Sequence, residues 1–348
     1  MQSFTAWIIR RPESAEGHTQ ASASLETIDD DALDALSSPT DEAVPGAVLD
    51  TVLRVEYSSV NYKDALALTG RPGVVRRWPL IPGIDATGVV LETRSDRWRA
   101  GDVVTLNGAG LGENLHGGLA GRAHVEGGKL VSVPPTMTAR HAAALGTAGF
   151  TAVLAVLALE RHGVSPSDGP VLVTGATGGV GSIAVALLAR AGFEVTASTG
   201  RGSTQSTYLV ELGAASVIDR GELAEPGKPM QSQRWAAAVD VAGGHTLVNA
   251  VAQLRHGGVV AACGLAQSPD YAGSVLPYIL RGVTLAGINS VEATVDERWA
   301  AWARLERDID LDQLDGLTSV VPLSAARETA DRVLAGGVRG RTVVEVGG

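Results

Sequence analysis

Val171-Leu-Val-Thr-Gly-Ala-Thr-Gly-Gly-Val-Gly-Ser182 is the stretch on which the reading of this chain turns. An apolar β run, Val171 to Thr174, enters a glycine-rich turn, and a helical pattern, Ile183 to Ala191, leaves it. A helix beginning at such a turn directs its free N–H groups and positive dipole end at an incoming pyrophosphate. Gly178 and Gly179 permit close approach of the phosphates, and Gly181 lets the helix pack against the strand. A bare glycine pattern is weak evidence, but the strand before it and the helix after it supply the context of a dinucleotide site.

Working outward, short apolar runs alternate with helix-length segments. The expected strands are Val171 to Thr174, Glu194 to Thr199, Ser216 to Asp219, Ala237 to Val241, Val259 to Cys263 and Thr284 to Ile288. Each reads as a short buried run rather than an alternating one, as a parallel sheet covered on both faces requires. Before Arg140 the pattern differs. Phe4 to Ile9 and Val48 to Ser59 read as strands, the second half-buried, and Gly88 to Glu92, Asp102 to Leu106, Gly121 to Val125 and Leu130 to Pro134 read as a small antiparallel or barrel-like β domain. A helix, Ala325 to Ala335, and a strand, Thr342 to Val346, close the chain. The fold class is α/β: a β-rich domain joined to a doubly wound parallel-sheet domain.

The end of the second strand of the nucleotide fold decides which coenzyme is expected. An NAD site usually carries an Asp or Glu about 20 residues beyond the glycines, whereas a 2′-phosphate calls for a cation and hydroxyls. This strand ends Ala197-Ser-Thr-Gly-Arg201, with no carboxylate. Arg201 can fork onto a phosphate, with Thr199 and Ser203 as donors and Arg220 as a second cation. NADPH is therefore favoured over NADH.

The 348 residues suggest about two domains. With 28 Lys and Arg against 38 Asp and Glu the net charge is −10, which argues against a nucleic-acid binder. A single cysteine, Cys263, makes no intrachain disulfide and reads as a small buried hydrophobe in a reducing compartment, by default the cytoplasm. Met1 to Arg11 has no signal-peptide pattern. Ala142 to Leu159 is uncharged over a length that approaches a membrane span, yet its Ala, Gly and Thr content favours a helix packed inside protein. The acidic stretch Pro12 to Pro45 reads as a strand or two plus surface loop.

At the chemical end of the site, Tyr57-Ser-Ser-Val-Asn-Tyr-Lys-Asp64 places Asn61, Tyr62 and Asp64 just after a strand. The cluster suits a hydrogen-bond donor to a carbonyl or a proton source. It suits equally a helix start capped by Asn61, which composition alone favours. Zinc alcohol dehydrogenases share the order of a β domain before a nucleotide fold, but their metal requires soft or imidazole ligands. His116, His124, His141, His162, His245 and His256 are scattered and share no ligand spacing with Cys263, so no metal is expected and a metal-free hydride transfer remains.

Ser58-Ser-Val-Asn-Tyr-Lys-Asp-Ala-Leu, Ile81-Pro-Gly-Ile-Asp85, Gly112-Glu-Asn, Gly117-Gly-Leu-Ala120, Gly146-Thr-Ala-Gly-Phe-Thr-Ala152, the Gly178 loop, Ala261-Ala-Cys-Gly-Leu-Ala266 and Gly340-Arg-Thr342 resemble, in order, the medium-chain dehydrogenase/reductase superfamily. More narrowly the chain resembles its zinc-independent acrylyl-CoA reductase branch, whose members are often named quinone oxidoreductases. The resemblance implies a GroES-like catalytic domain over 1–142 and 292–348, a Rossmann domain over 143–291, and a homodimer. It implies NADPH-dependent reduction of the carbon–carbon double bond of acrylyl-CoA. By the same resemblance Tyr62 contacts the nicotinamide end. Thr177, Gly178, Gly179, Val180 and Gly181 take the pyrophosphate, and Thr199, Gly200 and Arg201 the 2′-phosphate. Arg220, Leu265, Ile279 and Ser290 match further coenzyme positions, while Asn289 departs from the Asp of relatives. Tyr62, Asn61 and Asp64 are the candidate catalytic residues, with Tyr62 as donor. Arg71, Arg76 and Arg77 are candidates for the CoA phosphates, against the simpler reading of a solvated basic loop. Reduction of quinones or other activated alkenes is the rival activity, and a non-catalytic NADPH sensor the rival of another class.

Overall fold

The computed structural model describes residues 3–11, 21–36 and 48–347, with the side chain of Ser203 outside the description. Two compact units divide the chain. The first comprises Met1–Thr147, Ser290–Trp302 and Leu314–Gly348, and the second Ala148–Asn289 and Ala303–Gln313.

The first unit opens with β1 (Phe4–Arg10), antiparallel to β2 (Ser22–Ile28), followed by α1 (Asp30–Leu36). The region read as strand and loop thus holds a helix as well. Asp29 accepts the Ala32 N–H at 2.9 Å, and Asp30 and Asp31 suit the positive helix end. Residues 12–20 and 37–45 of that region lie outside the described residues. Next come β3 (Thr51–Ser59), α2 (Tyr62–Leu68), β4 (Asp85–Thr93), β5 (Val103–Asn107), β6 (Arg122–Val125), the two-residue β7 (Val131–Ser132) and α3 (Ala139–Arg161). Among the described residues α3 is the one helix long and apolar enough to cross a membrane, but 89% of its apolar stretch is buried, which accounts for its lack of charge. It is not straight, because Gly146 at φ 47° and ψ −157° breaks it.

In the second unit β8 (Val171–Val173), α4 (Gly179–Arg190), β9 (Val195–Thr199), α5 (Gly202–Glu211), β10 (Ser216–Asp219), α6 (Gly221–Ala224), β11 (Trp235–Asp240), α7 (Gly244–Ala252), β12 (Leu254–Ala262), α8 (Leu276–Arg281) and β13 (Thr284–Gly287) alternate. All six strands are parallel in the order β10-β9-β8-β11-β12-β13. The order reverses beside β8, the switch point at which open sheets of this kind bind nucleotides beyond the carboxyl ends of their strands. β8, β9 and β11 are buried at every position, as a sheet covered on both faces requires, although β9 carries Thr196, Ser198 and Thr199. Leu172, Trp235, Leu247, Leu254 and Val260 form the core around them.

The chain then passes through α9 (Val295–Asp308), α10 (Leu311–Gly316), β14 (Thr318–Pro322), α11 (Ala326–Leu334) and β15 (Arg341–Glu345). The sequence reading passed over α9, α10 and β14, whose buried positions are few. β14 and β15 join the first unit's sheet in the order β14-β15-β3-β4-β5-β7, with β6 also on β3. Leu53, Val55, Val90, Val104 and Leu106 fill its interior. Burial contributes about 1.5–3 kcal/mol for each such side chain. Ala65 and Leu68 of α2 pack with Ala326 and Ala330 of α11, and this contact seats the helix that carries Tyr62.

Candidate active site

In the second unit the chain leaves β8 at Val173, turns through Gly175 and starts α4 with Gly178 as N-cap. A Cβ on Gly181 would stand 2.3 Å from the Gly175 carbonyl oxygen, so the close helix-to-turn packing excludes any other residue there. Asp240, buried at the end of β11, braces the turn. It accepts the Thr174 hydroxyl at 2.7 Å and the Gly243 N–H at 2.7 Å, and burial raises its pKa. Sequence reading missed Asp240, although a carboxylate closing an apolar strand was the visible signal.

The residues expected at the 2′-phosphate come together. Arg201 donates from Nη2 to the Thr177 hydroxyl at 2.7 Å, and that hydroxyl lies 3.2 Å from the Thr199 hydroxyl. The Arg201 N–H donates to Thr199 at 3.2 Å, and the Arg220 guanidinium lies over Gly200. Two guanidiniums and two hydroxyls thus converge where β9 ends, a donor set suited to a phosphate dianion. The Ser203 side chain, expected beside them, lies outside the described residues. Leu265 and Ile279, in the same unit, are exposed apolar side chains.

The first unit holds a buried polar network around the Asn61 cluster. Asn61 is the N-cap of α2, and Asp64 Oδ2 reaches back to its N–H at 2.8 Å, so the capping reading is correct for the backbone. The Asn61 side chain, however, turns inward. Its Nδ2 donates to Asp85 Oδ2 at 2.8 Å, and its Oδ1 accepts Arg341 Nη1 at 3.0 Å. Arg341 also donates to Ser59 Oγ at 2.9 Å and to the Ala144 carbonyl at 2.6 Å. Asp85 in turn receives Ser59 Oγ at 2.5 Å, Asn107 Nδ2 at 2.9 Å, and the N–H and hydroxyl of Thr147 at 2.8 and 2.7 Å. Trp302 Nε1 donates to Asn107 Oδ1 at 3.2 Å, which fixes the amide so that its N–H₂ faces Asp85. The break at Gly146 belongs to this network, since a Cβ there would lie 2.6 Å from Asp85 Oδ2.

Asp64 is fully buried, and desolvation, reinforced by the Asp85 charge, pushes its pKa up to about 7. Desolvation also lowers the pKa of Arg341, opposed by Asp85 and Asp64. Tyr62 stands at the first turn of α2 with 43% of its surface exposed, and its hydroxyl has no hydrogen bond among the described residues. Its neighbour Lys63 pairs with Glu113 at 2.8 Å.

Other expected groups fall elsewhere. Arg77 donates to the Leu36 carbonyl at 2.8 Å and so serves the packing of that loop, whereas Arg71 and Arg76 are exposed. Ser290 sits in the first unit with its carbonyl on Arg298 Nη2 at 3.4 Å. His116 is a buried core histidine that accepts the Ile81 N–H at 3.1 Å, and desolvation, then the Arg77 charge, pushes its pKa down to about 4. The Cys263 thiol donates to the Asp240 carbonyl at 3.3 Å, and burial raises its pKa.

Two family models match, the alcohol dehydrogenase GroES-like domain over residues 48–158 and the zinc-binding dehydrogenase domain over 179–307. The probable acrylyl-CoA reductase AcuI of Escherichia coli (strain K12) is 46% identical over 297 residues, covering 85% of this chain and 91% of that protein. The acrylyl-CoA reductase AcuI of Ruegeria pomeroyi is 45% identical over 85% of this chain and 90% of its own length. The chain belongs to the medium-chain dehydrogenase/reductase superfamily, in its acrylyl-CoA reductase branch. The superfamily fold extends to the crystal structure of the Salmonella enterica oxidoreductase yhdH in complex with NADP, which superposes with a TM-score of 0.90 at 40% identity over 99% of this chain and 100% of that one. The zinc in the name of one superfamily model finds no fit here. Among the described residues no group of three or more His, Cys, Asp or Glu side chains could hold a metal ion, and the one thiol is tied to a carbonyl. A phosphorylated dinucleotide does fit, because the glycine turn opens onto a helix N-terminus and Arg201, Arg220, Thr177 and Thr199 converge beside it.

Proposed function

We propose that this protein reduces the carbon–carbon double bond of acrylyl-CoA to propanoyl-CoA at the expense of NADPH. The observation that carries the reading is the 46% identity maintained over 91% of an acrylyl-CoA reductase. The phosphate-adapted end of β9 supports it.

NADPH, when bound, supplies the hydride for the β-carbon of the enoyl thioester. The chain's part is to bind, orient and stabilise charge. Gly178–Gly181 and the N-terminus of α4 hold the pyrophosphate, and Thr177, Thr199, Gly200, Arg201 and Arg220 the 2′-phosphate. The Tyr62 hydroxyl donates to the thioester oxygen as enolate charge develops there, and a proton taken up from solvent at the α-carbon completes the reduction. Its exposure and the lack of a partner for its hydroxyl among the described residues support that role. Asn61 and Asp64 act as positioning residues that tie the first turn of α2 to Asp85 and Arg341. Leu265, Ile279 and Ser290 complete the coenzyme contacts.

The protein is further read as a cytoplasmic homodimer. Exposed apolar side chains at Val275, Leu276 and Leu280, beside the edge strand β13, supply an apolar surface for pairing. Sedimentation equilibrium tests this, and a monomer at micromolar concentration would remove the dimer. The activity is tested by NADPH oxidation with acrylyl-CoA, crotonyl-CoA and a small quinone. Highest kcat/KM with acrylyl-CoA is expected, and a higher value with the quinone would transfer the protein to quinone reduction.

A further inference from the structure

At the opposite end of the second unit's sheet, the register between β11 and β12 jumps. Trp235 pairs with Leu254, and the next aligned pair is Ala237 with Val259. Ala236 alone therefore faces the four residues 255–258. A bulge of this kind re-aims side chains out of the ladder. Here it carries Arg255 and His256 to a cavity of about 280 Å³, which His162, Asp168, Gly257 and Gly258 also line. These residues lie at the amino ends of β8, β11 and β12, whereas the glycine turn follows the carboxyl end of β8.

Two of the basic groups of this cavity are held in place. Arg255 Nη1 donates to the Asp168 carbonyl at 2.5 Å, and a Cβ on Gly169 would come within 2.0 Å of the same nitrogen. The guanidinium thus rests on bare main chain, with its remaining N–H groups left for a ligand. His162 Nδ1 donates to the Ala158 carbonyl at 2.7 Å, which fixes the ring and leaves Nε2 free. The acidic neighbour is already engaged. The Asp168 carboxylate accepts the Ser165 N–H at 2.8 Å and its hydroxyl at 2.9 Å, and these bonds hold its pKa below the ordinary value. On a chain of net charge −10, this cavity is lined by one arginine and two histidines against a single carboxylate, Asp168, whose oxygen is taken up by the Ser165 N–H and hydroxyl.

We propose that this cavity binds a small phosphate-class oxyanion, separately from the coenzyme loop, with Arg255 as anchor and the His162 and His256 imidazoles flanking it. The planar guanidinium fork matches two oxygens of a tetrahedral oxyanion, and His162 Nε2, with the ring proton held at Nδ1 by the Ala158 carbonyl, can accept from a P–OH group of the same ligand. The cavity has room beyond one tetrahedral ion, so inorganic phosphate and a small phosphomonoester share the chemistry of the site.

The test uses the full chain saturated with NADPH, so that the coenzyme's own phosphate contacts are already occupied. Inorganic phosphate and, separately, glycerol 3-phosphate are titrated while the histidine Cε1–H proton resonances are followed. The His162→Gln and His256→Gln variants assign the two signals. Saturable movement of these two resonances is expected, weakened about tenfold or more in Arg255→Gln. Gly169→Ala, which displaces the guanidinium without removing it, should weaken binding in the same direction, and it serves as the test if Arg255→Gln does not fold. Tighter binding of glycerol 3-phosphate would assign a phosphomonoester as ligand, and tighter binding of inorganic phosphate the free anion. A non-saturating drift, or saturation unchanged in both variants, would overturn the proposal.

Discussion

The coenzyme turn of the second unit and the buried network of the first differ in how much chain each gathers. Around the turn, Thr177, Gly178 and Gly181 belong to a single strand-to-helix connection, and Thr199 and Arg201 end the next strand. Around Asp85, the partners Ser59, Asn61, Asn107 and Thr147 come from separate elements, and Arg341 joins them from the last strand. The first arrangement depends on local backbone geometry, a few side chains of two neighbouring connections bonded to one another at the carboxyl end of the sheet. The second is a set of mutual dependencies in which every polar atom answers another inside a low-dielectric interior.

Breaking the network should therefore cost the most. Arg341→Met leaves the Asp85 and Asp64 carboxylates buried without their cation, and a loss of about 3–5 kcal/mol is expected in denaturant unfolding. A loss below about 1 kcal/mol, typical of exposed pairs, would mean that the network is solvated in solution. Tyr62→Phe comes next. Removal of one donor to a developing oxyanion lowers turnover by about 10²-fold or more, with NADPH affinity nearly intact. Unchanged kcat would remove Tyr62 from the chemistry.

Arg201→Gln should show how local the coenzyme donors are. NADPH affinity falls by the worth of a charged hydrogen bond, about 1.5–3 kcal/mol, while NADH affinity and folding stability stay nearly constant. Equal losses for both coenzymes would contradict the assignment of Arg201 to the 2′-phosphate.

The smallest effect is confined to a pH window. The folded pKa of Asp64, about 7, lies above the ordinary 3.8, so the stability it contributes is present in full at low pH and lost as pH rises through about 7. Wild type should lose thermal stability relative to Asp64→Asn as pH rises from about 5 to 8. A difference that stays constant with pH would show that Asp64 titrates normally.

The same contrast explains what was legible in the sequence. The parallel strands Val171–Val173 and Trp235–Asp240 could be read because burial on both faces leaves a nearly unbroken apolar run, and the edge strand Ser216–Asp219, although not buried, has the expected bounds. The bulge at 255–258 hid the start of β12, because Arg-His-Gly-Gly reads as loop although Leu254 already pairs with Trp235. Arg201 and Thr199 were accessible as a strand end lacking a carboxylate. Asp85 and Arg341 were quoted within motifs yet received no role, since spacing along the chain says nothing of a contact spanning more than 250 residues. Their signal was a charged residue at the head of an apolar strand, which demands a buried partner without identifying it. Gly146 likewise reads as one more small residue of an apolar helix until the Asp85 carboxylate occupies the space of its missing side chain.

Reduction of an enoyl thioester by a 2′-phosphorylated coenzyme is tested most directly by steady-state kcat/KM for acrylyl-CoA with NADPH and with NADH, in wild type and in Arg201→Gln. A strong preference for NADPH that collapses in the variant, with the NADH rate little changed, is the predicted result. Equal rates with the two coenzymes in wild type, or no consumption of either in the presence of acrylyl-CoA, would contradict it.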